Sequence, residues 1–207
     1  EIVKMTGGVP VEVKAGIDQN YKITAQQLEK ALSPKTKMLV FSSPCNPTGS
    51  VFSKEELEAF AEVLQKYPDV IIVSDEIYEY INFTGNHTSI GSLPSVADRT
   101  VTLNGFAKGF AMTGWRIGYM GAPKEIAKAC VKFQGQVTSG ASSFGQYASS
   151  VALRSDLKPT FDMVKAFKKR RDLLISLVKD IKGMKCNKPE GAFYLFPRIP
   201  MADSDEF

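Results

Sequence analysis

Apolar residues along the chain come in two rhythms. Short unbroken runs at 38–42 (KMLVFSSP), 69–73 (DVIIVSDEIY) and 100–103 (RTVTLNG) end in small polar residues, as buried strands entering loops do. WRIGYMGAP predicts a fourth strand, and VPVEVKAG, which alternates apolar and polar residues, predicts one more near the start. Between them the spacing turns helical. ITAQQLEKAL opens on Thr24 with Gln27 three residues on, a capping box, and stops at Ser33-Pro34. Ser53 and Glu56 cap the next helix, whose Leu57, Phe60, Ala61 and Leu64 share a face. Further helices are predicted at about 124–134, 143–153 and 158–181. The last carries Phe161, Val164, Phe167, Leu174, Leu177, Val178 and Ile181 at helical spacing, with Gly183 as a stop, and GAFYLFP then reads as the first strand of something new. Strands alternating with amphipathic helices predict an α/β protein, three-layer α/β/α, with a mostly parallel sheet.

Composition narrows the partners. The net charge of +4 is mild, and the basic cluster Lys165–Arg171 lies within an amphipathic helix, so a solvated face is expected rather than a nucleic-acid footprint. No apolar run has the length of a membrane span and no signal-peptide pattern opens the chain, which predicts a cytoplasmic protein with no membrane partner. Cys45, Cys130 and Cys186 lack any C-x-x-C spacing, so reduced thiols are expected. The one histidine, His87, sits in the loop-like FTGNHTSIGSL, where a surface or locally hydrogen-bonded role is expected and no metal site. Both chain ends read as cut, which predicts a fragment of a longer protein.

In parallel sheets ligands gather beyond the carboxyl ends of the strands. There the sequence places Asn46 in SSPCNPTG, Asp75 and Tyr78 after the second strand, and Lys108 with Arg116 after the third. Each has a plain reading alone: NPTG is a good turn, an aspartate after a strand is a cap, and a tyrosine suits a core edge. Lys108 is the least ordinary, since Gly, Ala and Phe surround it and burying an ammonium is costly. Taken as a set the residues match one chemistry. A poorly solvated lysine amine condenses with an aldehyde to a Schiff base. Were the aldehyde pyridoxal 5′-phosphate, its ring nitrogen would need a carboxylate, its phenolic oxygen hydrogen-bond donors, and its phosphate a guanidinium. Asp75, Asn46 with Tyr78, and Arg116 supply those types.

The blocks SSPCNPTG, VIIVSDEIYEYINF, NGFAKGFAMTGWRIGY and PEGAFYLFP, in this order and spacing, resemble the class I aminotransferases, fold-type-I pyridoxal-phosphate enzymes, and among them most the bacterial aspartate aminotransferases. The resemblance implies Lys108 as the cofactor-carrying lysine and proton shuttle. It implies Arg116 on the phosphate, Asp75 on the pyridine nitrogen, and Asn46 and Tyr78 on the phenolic oxygen, Asn46 also approaching the substrate carboxylate. Ala107 stands where many relatives have a serine, one phosphate hydrogen bond fewer. The resemblance further implies that 1–157 is the later part of the cofactor-binding domain, 158–182 a domain-linking helix, and 183–207 the opening of a small domain. The expected activity, in a full-length homodimeric parent, converts L-aspartate and 2-oxoglutarate to oxaloacetate and L-glutamate, the fragment alone being inactive. Transamination of aromatic, alanine or prephenate-type substrates, and a non-catalytic regulatory domain of the same fold, are the alternatives.

Overall fold

A computed structural model describes residues 1–201, 204 and 205; residues 202, 203, 206 and 207, at the end of the expected small-domain opening, lie outside the described residues. After a single helical turn, α1 (Ile2–Met5), helices and strands alternate as far as β2 and then come in blocks: α2 (Ala25–Ala31), β1 (Met38–Ser42), α3 (Lys54–Gln65), β2 (Ile71–Asp75), β3 (Thr100–Gly105), β4 (Gly118–Gly121), α4 (Lys124–Val137), α5 (Ser143–Arg154) and α6 (Lys158–Lys179). The sheet runs β1-β2-β3-β4, the first two pairings parallel and the last antiparallel. With its flanking helices this is the expected α/β architecture with a mostly parallel sheet.

Local chemistry sets the helix starts. Both predicted capping boxes form: the Thr24 and Ser53 hydroxyls accept from the Gln27 and Glu56 amides, while Gln27 and Glu56 reach back to the cap N–H groups. Helix α3 then buries Leu57, Phe60, Ala61 and Leu64 against Leu28 of α2 and against Val70, Ile72, Ile90 and Val96. Full burial of each such side chain contributes about 1.5–3 kcal/mol, so this face anchors β1 and β2. A second, smaller cluster of Tyr78, Ile81 and Ala192 takes Met163, Val164 and Phe167 of α6. The other half of the predicted α6 stripe, Leu174, Leu177 and Ile181, is exposed, as are Val131, Phe133 and Val137 of α4.

Two expected strands do not form. VPVEVKAG is irregular, with Val9 and Val11 exposed and no strand pairing it among the described residues; alternation makes a strand only where a sheet edge is at hand. GAFYLFP is tied down by the isolated bridge of Gly191 to Asn82 rather than by a ladder, and a second bridge joins Lys185 to Arg198. Among the described residues no helix is long and apolar enough to cross a membrane.

Candidate active site

Register aligns the strand ends. Ser42 of β1 faces Asp75 of β2, and Asp75 faces Leu103 of β3, so three loops leave one edge of the sheet together. The first, 43–50, is wound tight: Cys45 N–H donates to the Ser50 carbonyl at 2.9 Å and Gly49 N–H to the Cys45 carbonyl at 2.8 Å. Its Ser43–Pro44 and Asn46–Pro47 bonds are cis. Gly49 has φ +67°, a left-handed conformation that strains other residues, and a Cβ there would collide with Pro189. Asn46 projects from this loop, exposed, its Nδ2 donating to Tyr194 Oη at 3.5 Å.

The second loop begins with Asp75, whose Oδ1 accepts from the Ile77 amide at 3.1 Å, the capping geometry expected of an aspartate after a strand. The following turn buries the Tyr78 ring and leaves its hydroxyl 2.6 Å from that of Tyr194. Burial above all holds the Tyr78 phenol well above its ordinary pKa, so it stays protonated.

The third loop carries Lys108. Gly109 is obligatory beside it, because a Cβ would stand 2.6 Å from the Tyr80 ring, and its carbonyl accepts from Thr160 Oγ1 of α6 at 2.9 Å. Ala111 closes the turn at φ +53°, outside the comfortable range of a residue with a Cβ. Lys108 itself is half-buried, with Nζ 5.6 Å from the centre of the Tyr78 ring and 5.4 Å from that of Phe193. No carboxylate lies within ion-pair distance of it among the described residues. The aromatic rings face the ammonium without discharging it.

Asn46, Tyr78 and Lys108 are therefore brought together, with Asp75 at the adjoining strand end. Arg116 is less engaged. It follows the short turn Thr113–Trp115 at φ +54°, is exposed, and donates from Nη1 to the Thr113 carbonyl at 3.0 Å, with no bond to the other site residues.

Tyr194 and Phe193 touch these residues, although the sequence pattern of GAFYLFP points only to the start of a separate unit. Its backbone is stitched to the first two loops. Glu190 and Gly191 N–H both donate to the Gly49 carbonyl, at 2.8 and 2.9 Å, Ala192 N–H donates to Ile81 at 2.8 Å, and Asn187 Nδ2 donates to Thr48 at 3.0 Å. The one sequence signal is Gly-Ala ahead of two aromatics, small residues where chains must approach closely.

Behind Asp75 lies a second polar group. Buried Glu76 accepts from Ser74 at 2.9 Å and Ser89 at 2.7 Å and meets His87 Nε2 at 2.7 Å, so His87 has the local hydrogen-bonded role expected of it. Glu79 lies close by, its carboxyl raised above the ordinary range by burial and partly restored by His87. The three groups fall within 4.8 Å of one another, as metal ligands would, but hydrogen bonds already engage both Glu76 oxygens.

Against known proteins, the family model "Aminotransferase class I and II" matches residues 1–207. The chain belongs to this family. An aspartate/prephenate aminotransferase of Cereibacter sphaeroides is 43% identical over 201 residues, which are 96% of this chain and 50% of that protein. The solved aspartate aminotransferase of Rhizobium meliloti superposes with a TM-score of 0.92 at 38% identity, covering 96% of this chain and 50% of the other. The aromatic aminotransferase of Pyrococcus horikoshii does so at 0.91 and 40%, covering 95% and 53%. The chain thus spans about half the length of the aminotransferases it matches. The lysine-bearing loop of this chain follows strand β3 and is held by Gly109 and by the first turn of α6.

Proposed function

We propose that the protein is a pyridoxal-phosphate-dependent aminotransferase in which Lys108 carries the cofactor. The observation supporting this most is the half-buried Lys108 amine, set between two aromatic rings, without a carboxylate partner, at the strand edge that also presents Asp75, Tyr78 and Asn46. A lysine so placed has no structural task. The donor set fits the group as well: one amine, one carboxylate with a single oxygen committed to a local amide, two neutral donors, and a guanidinium bound by only one weak local contact.

When bound, pyridoxal phosphate supplies an aldehyde for amines and a protonated ring that accepts the electron pair left at the substrate Cα. Asp75 would keep the ring nitrogen protonated, Tyr78 and Asn46 would donate to the phenolic oxygen, and Arg116 would serve the phosphate. Lys108 Nζ would be the base for the proton on the substrate Cα. The Tyr78 and Phe193 rings flank that amine at 5.6 and 5.4 Å. The expected aspartate and 2-oxoglutarate pair is narrower than the names of the relatives, which include prephenate and aromatic substrates. The reading is therefore an aspartate donor with acceptors that extend to prephenate-type oxo acids. Helix α6 links the cofactor-binding unit to a second one that opens near residue 183, and the full-length protein works as a homodimer.

A panel of aspartate, glutamate, alanine and phenylalanine against 2-oxoglutarate and prephenate tests this. Aspartate turnover with both acceptors is expected. Transfer from no donor, by full-length protein shown to have bound the cofactor, would refute it.

A further inference from the structure

We propose that Tyr194 is a positioning residue of the site: its hydroxyl donates to Tyr78 Oη and so commits the Tyr78 proton to the anionic oxygen of the bound cofactor. The inference rests on the cofactor reading above and assigns a role to a residue that reading leaves out.

Either hydroxyl of the Tyr78–Tyr194 pair can donate, and the contacts around the pair favour Tyr194 as the donor. Asn46 Nδ2 is a donor only, and it reaches Tyr194 Oη at 3.5 Å. With an N–H arriving at its oxygen, the Tyr194 hydroxyl turns its own proton elsewhere. The partner in reach is Tyr78 Oη at 2.6 Å, a short O–H···O contact. Tyr78 then receives at its oxygen, and among the described residues its single proton has no other acceptor, so it is left for a bound group. Chains aligned this way polarise one another, so each donor strengthens the next. Burial reinforces the order: the Tyr78 phenol is kept protonated and so remains a donor.

Packing shows that Tyr194 is placed rather than incidental. Its ring meets that of Tyr78 edge-on at 5.9 Å and Phe193 at 4.8 Å, and Phe193 stacks on Phe167 of α6 at 5.1 Å. The backbone just before it is pinned to the Gly49 and Ile81 carbonyls. A segment far along the chain thereby sets the donor strength of a residue at the end of β2. Where the segment sits decides how well Tyr78 can donate.

The test is a spectroscopic pH titration of the full-length protein loaded with pyridoxal phosphate, following the long-wavelength band of the cofactor joined to Lys108. A hydrogen bond donated to the phenolic oxygen draws charge from the ring and weakens the hold of the linking nitrogen on its proton. Removing that donation raises the midpoint. Tyr194→Phe is expected to raise it by about half a unit, the scale of one neutral hydrogen bond. Tyr78→Phe is expected to raise it further, and Tyr194→Phe to add nothing in the Tyr78→Phe background, because the effect passes through Tyr78. Tyr194→Leu, which removes the same hydroxyl with a different shape, must shift in the same direction, so the proposal does not depend on one variant folding. An unchanged or lowered midpoint in both Tyr194 variants, or a shift that persists without the Tyr78 hydroxyl, overturns it. A wild-type protein that binds the cofactor without this band would overturn the cofactor reading too, which separates the two failures.

Discussion

Gly191→Ala probes how the segment at 187–194 is held against the site. An ideal Cβ at Gly191 stands 2.5 Å from Pro44 Cβ, 2.8 Å from Pro44 Cγ and 3.0 Å from the Ile81 carbonyl oxygen. None of these can swing aside, since Pro44 is fully buried and the oxygen accepts from Ala192 N–H. The backbone must therefore retreat. Overpacking of this kind costs about 1–3 kcal/mol, and weakening the paired bonds from Glu190 and Gly191 to the Gly49 carbonyl adds about 1 kcal/mol. A loss of about 2–4 kcal/mol is expected, or roughly 5–15 °C in melting temperature for a domain of this size. Denaturant unfolding of the variant beside wild type measures it. Gly135→Ala is the control: it lies in α4 with no atom within 4 Å of the added Cβ, and gains up to about 1 kcal/mol of helix propensity. A Gly191→Ala protein within about 0.5 kcal/mol of wild type would refute the claim that Pro44 and Ile81 leave no room.

Arg116→Ala should weaken cofactor binding by about 10- to 100-fold, the range of a charge-assisted contact, with Arg116→Lys recovering part of it; equilibrium titration with pyridoxal phosphate reads both. Burial raises the Glu79 carboxyl, so its contribution to stability is complete below the ordinary carboxylate range and is lost as pH rises through the raised value. Glu79→Gln should accordingly melt higher than wild type at about pH 8 and equally at about pH 4. A difference that is the same at both pH values would exclude that cause.

What could be seen in the sequence was whatever depends on near neighbours. The Thr24–Gln27 and Ser53–Glu56 boxes and the buried face of α3 are three- and four-residue patterns, and they formed as expected. β1 was placed at its observed limits because its run of apolar residues is short and ends in serine and proline. The candidate site residues could be picked out by their types and their places at strand ends; Asn46 and Tyr78 both reach Tyr194, and Lys108 stands over the Tyr78 ring. Partnerships across long stretches of chain were not legible. Tyr194 lies 116 residues from Tyr78 and 148 from Asn46, and no local spacing encodes such a contact. The antiparallel entry of β4 likewise depends on the strained turns at Ala111 and Arg116, which take a left-handed backbone without the glycine that would signal it. VPVEVKAG differs for the opposite reason: its pattern suits a strand, and no strand among the described residues pairs with it.

Chemical trapping shows whether Lys108 is the residue that carries the cofactor. Full-length protein equilibrated with pyridoxal phosphate is reduced with borohydride, digested and mapped by mass. The pyridoxyl-phosphate label is expected on the peptide containing Lys108 and is expected to be lost in Lys108→Ala. Label on a different lysine, or label undiminished in Lys108→Ala, would contradict it.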